Sequence, residues 1–112
     1  MIFTAREAQD AERWNAAGLN AVHAAICASD AVLIAVTGLR SSSQDHRAVI
    51  KLLQAEVRDF PSERERQLKG LLGVKNRIAY EQSLLREAES RVLVDQAERF
   101  TSWAEEVVRR QD

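Results

Sequence analysis

Helix-breaking residues are scarce in this chain. Among its 112 residues there are four glycines and one proline, and no stretch of strand length alternates apolar with polar residues. Apolar residues recur instead at spacings of three and four, which is the period of one face of an α-helix. The sequence therefore predicts a single all-α domain over residues 1–112, folded as an antiparallel bundle of four or five helices.

The few breakers set the expected limits of the first helix. Thr4 and Glu7 have the spacing of a capping box, which marks a helix start. From there the helix is expected to run to about Val36, with Gly18 marking a break between a short helix and a long one. Gly38 fits the C-terminal cap, because glycine adopts the left-handed backbone conformation without steric cost.

The remaining helices follow from the same signals. The second is expected over about residues 43–59, and Pro61 ends it because proline lacks a backbone donor. The third begins after Pro61 and ends between residues 80 and 85. Two further capping boxes mark helix starts, at Ser41 with Gln44 and at Ser62 with Glu65.

Each predicted helix carries an apolar stripe that we expect to be buried. The first has an alanine stripe, which lets another helix approach closely, and an adjacent stripe of larger residues. These positions are Ala17, Ala21, Ala24, Ala28, Ala31 and Ala35, with Val22, Ile26, Leu33 and Val36 beside them. On the other helices they are Val49, Leu52, Leu53, Val57 and Phe60; Leu68, Leu71, Leu72, Ile78 and Ala79; and Leu93, Ala97, Phe100, Trp103, Ala104 and Val107.

Charge and cysteine content narrow the function classes. The formal net charge is −1, from 16 Lys and Arg against 17 Asp and Glu, so any contact with a nucleic acid has to be local. Cys27 is the only cysteine, which excludes an intrachain disulfide and favours the cytoplasm. The longest apolar run, residues 31–36, is too short to span a membrane. We expect no cofactor, no metal and no membrane association.

Two parts of the chain resemble the two halves of a known family of bacterial helical proteins. Lys75-Asn76-Arg77-Ile78-Ala79-Tyr80-Glu81, followed by a helix with Asp95-Gln96-Ala97-Glu98-Arg99-Phe100, is similar to the C-terminal half of a HEPN domain. The alanine-rich first helix with His23 and Asp30, then Gly38-Leu39-Arg40 and His46, is similar to the first half. The resemblance implies a homodimer that acts as one component of a toxin–antitoxin or defence module. It also implies a nucleotidyltransferase-type or antitoxin partner protein, and RNA or a nucleotide as a further ligand.

Active members of that family cut RNA without a metal, using an arginine and a histidine that follows it closely. In this chain no histidine follows Arg77, and Tyr80 or nearby Glu81 stands in its place. A phenol titrates near pH 10 and is a poor general base at neutral pH. The chain is therefore expected to bind a partner protein, and whether it is an enzyme stays open. One alternative is a degenerate metal-independent ribonuclease with Arg77 and Tyr80 as catalytic residues, in which His23 or His46 could replace Tyr80 in handling the proton. The other alternative is a non-catalytic dimeric scaffold.

The expected ligand site centres on the third helix. Arg77, Tyr80 and Glu81 share one helix face, where an arginine fork beside a phenol can hold a phosphate. Lys75 and Asn76 belong to the same expected site. The alternative is an ordinary surface pair between Arg77 and Glu81.

Two other groups of polar residues are candidates. Asp30 lies on an apolar helix and needs a cationic partner, which Arg40, Arg47, His46 or Arg77 can supply; Asp30 and His46 are therefore counted as ligand-binding. His23 and Cys27 have the spacing of helical metal ligands but need a third ligand from Asp45 or His46. The alternative places Cys27 in the core as a small hydrophobe. Trp14 and Trp103 are expected to plug the core or to face a partner.

Overall fold

Four helices account for nearly all of the structure that the computed structural model describes, which covers residues 5–38, 46–81 and 85–111. They are α1 (Ala5–Thr37), α2 (His46–Glu56), α3 (Ser62–Glu81) and α4 (Glu87–Arg109), and these ranges contain no strand. For residues 5–11, 46 and 79–81 the description covers the backbone only. The prediction of an all-α helical bundle is confirmed.

The first helix is continuous, so the predicted break at Gly18 is wrong. Gly18 is buried within α1, and a Cβ added to it would overlap Cδ1 of Leu85 and lie 3.5 Å from Cδ1 of Leu93. The missing side chain therefore gives room to a packed leucine and does not interrupt the helix. At the other end Gly38 has φ of 77° and its amide donates to the carbonyl of Ile34 at 2.8 Å, which confirms the predicted cap.

Helices α1 and α4 run parallel and form the most extensive interface of the bundle. Near the start of both, the hydroxyl of Ser90 donates to the carbonyl of Trp14 at 3.0 Å. Further along both, Ala28 and Ala104 line the same groove. Because residue numbers rise together along the interface, the two helices point the same way, so this pair departs from an antiparallel arrangement.

The third helix runs antiparallel to α4. At one end Arg77 of α3 pairs with Glu89 in the first turn of α4, and at the other the ring of Phe60, just before α3, lies 5.3 Å from that of Trp103. The start of α3 falls at Ser62, as predicted. The side chain of Glu65 accepts hydrogen bonds from Gln54 of α2 and from Lys69, and so ties α2 to α3.

The second helix ends earlier than predicted. It stops at Glu56, and the chain then turns through Asp59, whose φ of 58° is left-handed and incompatible with a continuing helix. Ile50 and Leu53 on α2, and Val57 in the turn just after it, are buried, whereas Leu52, predicted to be buried, is 36% exposed. The predictions of Leu53 and Val57 as buried residues are therefore confirmed, and Ile50 takes the place of Leu52.

The core is formed by residues from all four helices and the segment before α4. The buried apolar residues are Ala21, Val22, Ala25, Ala28, Val32, Leu33, Ile50, Leu53, Val57, Leu68, Leu71, Leu72, Leu85, Leu93, Ala97, Phe100 and Ala104. Most of the positions predicted on α3 and α4 are among them. Both tryptophans are half-buried against this core. The capping boxes at Thr4 and at Ser41, together with the side chains of Glu7 and Ala79, lie outside the described residues.

Part of the alanine stripe on α1 stays open. Ala21 and Ala28 are buried, but Ala24 and Ala31 are exposed. Cys27 is exposed as well, so its predicted place in the core is wrong. The buried arc of α1 faces α3 and α4, and these three residues lie beyond its edge. The alanine stripe is therefore only partly covered within this chain.

The apolar character of α1 extends further than its uninterrupted apolar runs. Residues Glu12–Thr37 form a stretch long and apolar enough to cross a membrane, with a mean hydropathy of 1.8 in its most apolar window and 39% of that window buried inside the bundle. The core helix of a soluble protein meets the same criterion, so this is weak evidence for a membrane. The cytoplasmic location stays a prediction.

Replacing Gly18 tests the close packing on α1. We expect Gly18→Ala to lower the free energy of unfolding by about 1 kcal/mol, because overlap with buried Leu85 outweighs the better helix propensity of alanine. Gly73→Ala is the matched control, since Gly73 is an exposed glycine inside α3 whose added Cβ would meet no described atom within 4 Å. It should gain about 0.5–1 kcal/mol. Urea unfolding measures both, and equal stabilisation of the two variants would contradict the packing at Gly18.

Candidate functional site in the α3–α4 cleft

An ion pair joins the last part of α3 to the first turn of α4. Nη2 of Arg77 donates to Oε2 of Glu89 at 2.8 Å, and the two side chains are 38% and 40% exposed. The sequence singled out Arg77 but offered Glu81, on the same helix, as its ordinary partner. Arg77 instead reaches across to α4, so the pair links two helices that converge at this end of the bundle.

Two hydrogen bonds hold the Glu89 carboxylate in its charged form. The Arg77 guanidinium lowers the pKa of Glu89 below its ordinary value of 4.5, and the backbone amide of Arg86 lowers it further. That amide lies 3.5 Å from Oε1 of Glu89, the geometry of a long capping contact at a helix start. Glu89 therefore both caps α4 and positions Arg77.

The Arg77 guanidinium keeps one donor without a partner. Its Nε is buried and has no hydrogen-bond acceptor within the part of the chain that the structure describes. A buried donor without an acceptor is uncommon in folded proteins and commonly indicates strain or an absent ligand. Because this Nε is enclosed by the protein, an external ligand can reach Arg77 only at the exposed part of its side chain.

An apolar cleft lies next to this ion pair, and we call it the α3–α4 cleft. It is lined by Val74, Ala88, Glu89, Val92 and Leu93. Val92 is 56% exposed, an unusual degree for a large aliphatic side chain. The cleft therefore combines an apolar floor with a charged edge.

The other residues predicted on α3 lie along the same helix. Lys75 is half-buried and Asn76 is exposed. Tyr80 and Glu81 belong to the last turn of α3 by their backbone, and their side chains lie outside the described residues. Helical spacing places residues 80 and 81 one turn beyond Arg77.

Asp30 and His46 are not brought to Arg77 by the described part of the fold. The site lies level with Trp14 of α1, whose carbonyl is bonded by Ser90, the neighbour of Glu89. Asp30 is half-buried farther along the same helix, about 24 Å away at the helical rise. His46 is the first residue of α2, and its side chain lies outside the description.

The possible metal ligands on α1 do not form a cluster. His23 and Cys27 are both exposed, and Asp45 and the side chain of His46 lie outside the described residues. Among the residues that the structure covers, no group of three or more His, Cys, Asp or Glu is arranged to hold a metal ion.

Sequence reasoning missed Glu89 and Val92. Glu89 carries a weak signal, because acidic residues are favoured in the first turn of a helix. Val92 carries none, since its exposure depends on how α3 packs against α4.

A further cation lies near the site. Trp14 is half-buried at the same end of the bundle, and the guanidinium carbon of Arg91 lies 6.0 Å from the centroid of its ring.

Acid titration tests the role of Glu89. Because the pKa of Glu89 is lowered in the folded protein, its contribution to stability is present above pH 4.5 and is lost as the pH falls through the folded value. We expect Glu89→Gln to be less stable than wild type at pH 7, with the difference shrinking below pH 4.5. Thermal melts over this range measure it.

The control for this titration is Glu87→Gln. Glu87 also lies in the first turn of α4 but pairs with Arg91 on its own helix, and both side chains are largely exposed. Such surface pairs contribute little to stability, so the loss at pH 7 should be smaller. A loss for Glu89→Gln that is the same at pH 3 and pH 7 would contradict the linkage.

Comparison with known proteins found no match: no protein-family model, no curated protein and no solved structure is similar to this chain. The resemblance to HEPN domains therefore stays a prediction, carried by the residues of α3 and α4 quoted above.

Proposed function

We propose that this chain is a HEPN-like helical protein that acts by binding, as one component of a toxin–antitoxin or defence module. Its partner protein, of the nucleotidyltransferase or antitoxin type that the resemblance implies, would bind at the α3–α4 cleft. The observation that carries the proposal is the exposed Val92 beside the half-buried pair of Arg77 and Glu89.

The chemistry of the cleft favours a protein ligand. Val74, Ala88 and Val92 offer an apolar surface to a partner side chain, and arginine is enriched among the residues that dominate binding energy at protein interfaces. The Arg77 side chain is 38% exposed, so its guanidinium offers a donor for a carbonyl or carboxylate of the partner. We therefore expect an apolar anchor from the partner, flanked by an acceptor.

Phosphate binding at the same arginine is the second candidate. The observation in its favour is the exposed part of the Arg77 side chain, together with half-buried Lys75 two residues earlier. Glu89 weakens this candidate, because its carboxylate already offsets the Arg77 charge and would repel an incoming phosphate. RNA or nucleotide binding is therefore an outcome of the experiment below.

Ribonuclease chemistry has less support than binding. Of the two histidines in the chain, His23 is the one whose side chain is described. It is exposed on α1, about 13 Å along the helix from Trp14, the residue of α1 that lies level with the site. The side chains of the other candidate bases, Tyr80 and His46, lie outside the described residues. A cleavage assay on short RNA with wild type and Arg77→Ala decides the alternative, and equal activity of the two removes it.

Co-expression with the protein encoded by the adjacent gene tests the proposal. We expect Val92→Glu and Arg77→Ala each to weaken the purified complex by about tenfold or more, because one places a charge in the apolar floor and the other removes the donor. Calorimetry on the separately purified proteins measures the dissociation constants. A short RNA is titrated in parallel against the same variants.

Arg99→Ala is the matched control. Arg99 forms an exposed pair with Asp95 on α4 and does not line the cleft. It should leave the dissociation constant unchanged. Equal binding by wild type and Val92→Glu would contradict a protein site in the cleft, and RNA binding lost only in Arg77→Ala would favour the second candidate.

A further inference from the structure

A second surface, on the α1–α4 pair, is open and apolar. We call it the α1–α4 face; two adjoining grooves run along it, and none of their lining residues belongs to α2 or α3. Ala24 and Thr101 line both grooves, so the two form one continuous depression. The residues used below are Ala24, Cys27, Ala31, Thr101, Glu98 and Arg109.

This face continues the apolar stripe of α1 that the bundle leaves uncovered. Ala24, Cys27 and Ala31 are exposed, and Ile34, at the next position of the same stripe, is 48% exposed. Only 39% of the most apolar window of α1 is buried within the chain. An exposed apolar surface of this length indicates a binding surface.

Small side chains suit the face to another helix. Helix axes approach to about 8 Å where the contact residues are small. Ala24 and Ala31 provide such positions on α1, each about one turn from Cys27 on either side of it. A helix of the same composition, laid along this stripe, would pack at close range.

The charges bordering the face are complementary to their own copies. On α4, Glu98 and Arg109 lie near opposite ends of the face. On α1, His23 and Asp30 each directly precede a residue that lines it, Ala24 and Ala31, so helical geometry places them beside the face. In an antiparallel pair of identical helices, each end of one helix meets the other end of its copy. Glu98 would then face the partner's Arg109, and His23 would face the partner's Asp30.

One register satisfies both pairings. The midpoint between His23 and Asp30 falls between residues 26 and 27, and that between Glu98 and Arg109 falls between residues 103 and 104. Neighbours across the α1–α4 interface are 76 positions apart in the hydrogen bond of Trp14 with Ser90, and 77 apart for Ala24 and Thr101, which line both grooves. The two midpoints therefore lie side by side, so a single two-fold axis passes through both.

We propose that the α1–α4 face binds a second copy of this chain, with α1 against the partner's α1 and α4 against the partner's α4, both antiparallel. The two-fold axis passes next to Cys27. Such an isologous contact uses one patch twice. It gives the homodimer expected from the sequence a specific interface, and it lies apart from the α3–α4 cleft, so it does not rest on the proposed function.

The present partners of Arg109 allow this contact. Its Nη2 donates to Oε2 of Glu106 at 2.6 Å, in a pair whose arginine side chain is 73% exposed. Exposed pairs of this kind contribute little. Arg110 also contacts Glu106, at 3.3 Å, so that carboxylate keeps a cation when Arg109 turns towards the partner. In this register Glu105 meets Ser102 of the partner, which places no like charges together.

A membrane is the competing occupant. The apolar stretch of α1 fits a lipid surface by length and composition, but Glu98 and Glu105 border the same face. Carboxylates at that position are repelled by the anionic headgroups of a cytoplasmic leaflet. The second copy is therefore favoured, and vesicle binding is an outcome of the test.

Cysteine crosslinking in the purified chain tests the axis. With a short bismaleimide, wild type should form a covalent dimer through Cys27. Ile34→Cys in a Cys27→Ala background should not, because residue 34 lies about 22 Å from its copy in the antiparallel register. Gly73→Cys in the same background, exposed on α3, gives the rate of random collisions.

Each result of the crosslinking has one meaning. Crosslinking through Cys27 well above the Gly73→Cys level, with Ile34→Cys at that level, supports the antiparallel dimer. Equal crosslinking at residues 27 and 34 would indicate parallel helices and overturn the register. A Cys27 yield equal to that of Gly73→Cys overturns the proposal.

Charge exchange tests the register independently. Glu98→Arg and Arg109→Glu should each raise the dimer dissociation constant by about tenfold, because every dimer contains the contact twice. The double variant should return to within about threefold of wild type, since the pairing is restored in reverse. Sedimentation equilibrium measures all four proteins.

The proposed dimer and the proposed function can fail independently of each other. A wild-type chain that stays monomeric in sedimentation overturns the dimer whatever the adjacent gene product does, and a monomer that floats with vesicles of phosphatidylcholine and phosphatidylserine assigns the face to lipid. A double variant no tighter than the single ones overturns the register. None of these substitutions touches Arg77 or Val92, so binding at the cleft is measured unaltered.

Discussion

Close approach of α1 to α4 is the contact on which the rest of the bundle depends. It is possible because Gly18, Ala21, Ala25 and Ala28 present almost no side chain to α4. Leu85, Leu93 and Phe100 then fill the space from the other side. Without these small residues the 33-residue α1 would stand away from α4, and the leucines before and within α4 would lose their partner.

The candidate site is a consequence of this packing. The amide of Leu85 donates to Oδ1 of Asn15 at 2.7 Å, which fixes the chain just before α4 against α1. That contact sets where α4 begins, and Glu89 follows within its first turn. Because α4 runs back beside α3, Arg77 meets Glu89, and Val92 is left at the edge of the cleft. The ion pair is thus positioned by contacts of residues that do not touch it.

The positions of the helices were predictable from the sequence, but which helices pack against each other was not. The three-four spacing of Leu93, Ala97 and Phe100 identifies a buried face from local pattern alone, and the structure confirms it. The same pattern says nothing about which helix covers that face or in which direction it runs. On α1 apolar residues occupy most of the circumference, so the pattern could not tell buried Ala21 from exposed Ala24 or exposed Cys27. On α2 the adjacent apolar residues 52 and 53 left the edge of the buried face equally undefined, and Leu52 was misplaced.

In the candidate site, too, a residue could be predicted from the sequence but its partner on another helix could not. Arg77 was found because its type and setting resemble a known family, whereas Glu89 became its partner only through the return of α4 beside α3. No local pattern contains that information, since the two residues lie on different helices. The α1–α4 face was partly visible as an alanine stripe. The structure alone determined which of those alanines stay exposed.

The parallel pairing of α1 with α4 also has a kinetic consequence. Two of its hydrogen bonds join residues 70 and 76 positions apart, Leu85 with Asn15 and Ser90 with Trp14. Helical bundles with mainly local contacts fold quickly, and rates fall as contacts become more distant in sequence. Here α3 and α4 can meet as a local hairpin, but α1 is placed only after almost the whole chain has been brought together. On the ribosome, α1 therefore emerges first, yet its apolar surface stays without its principal partner until α4 is complete.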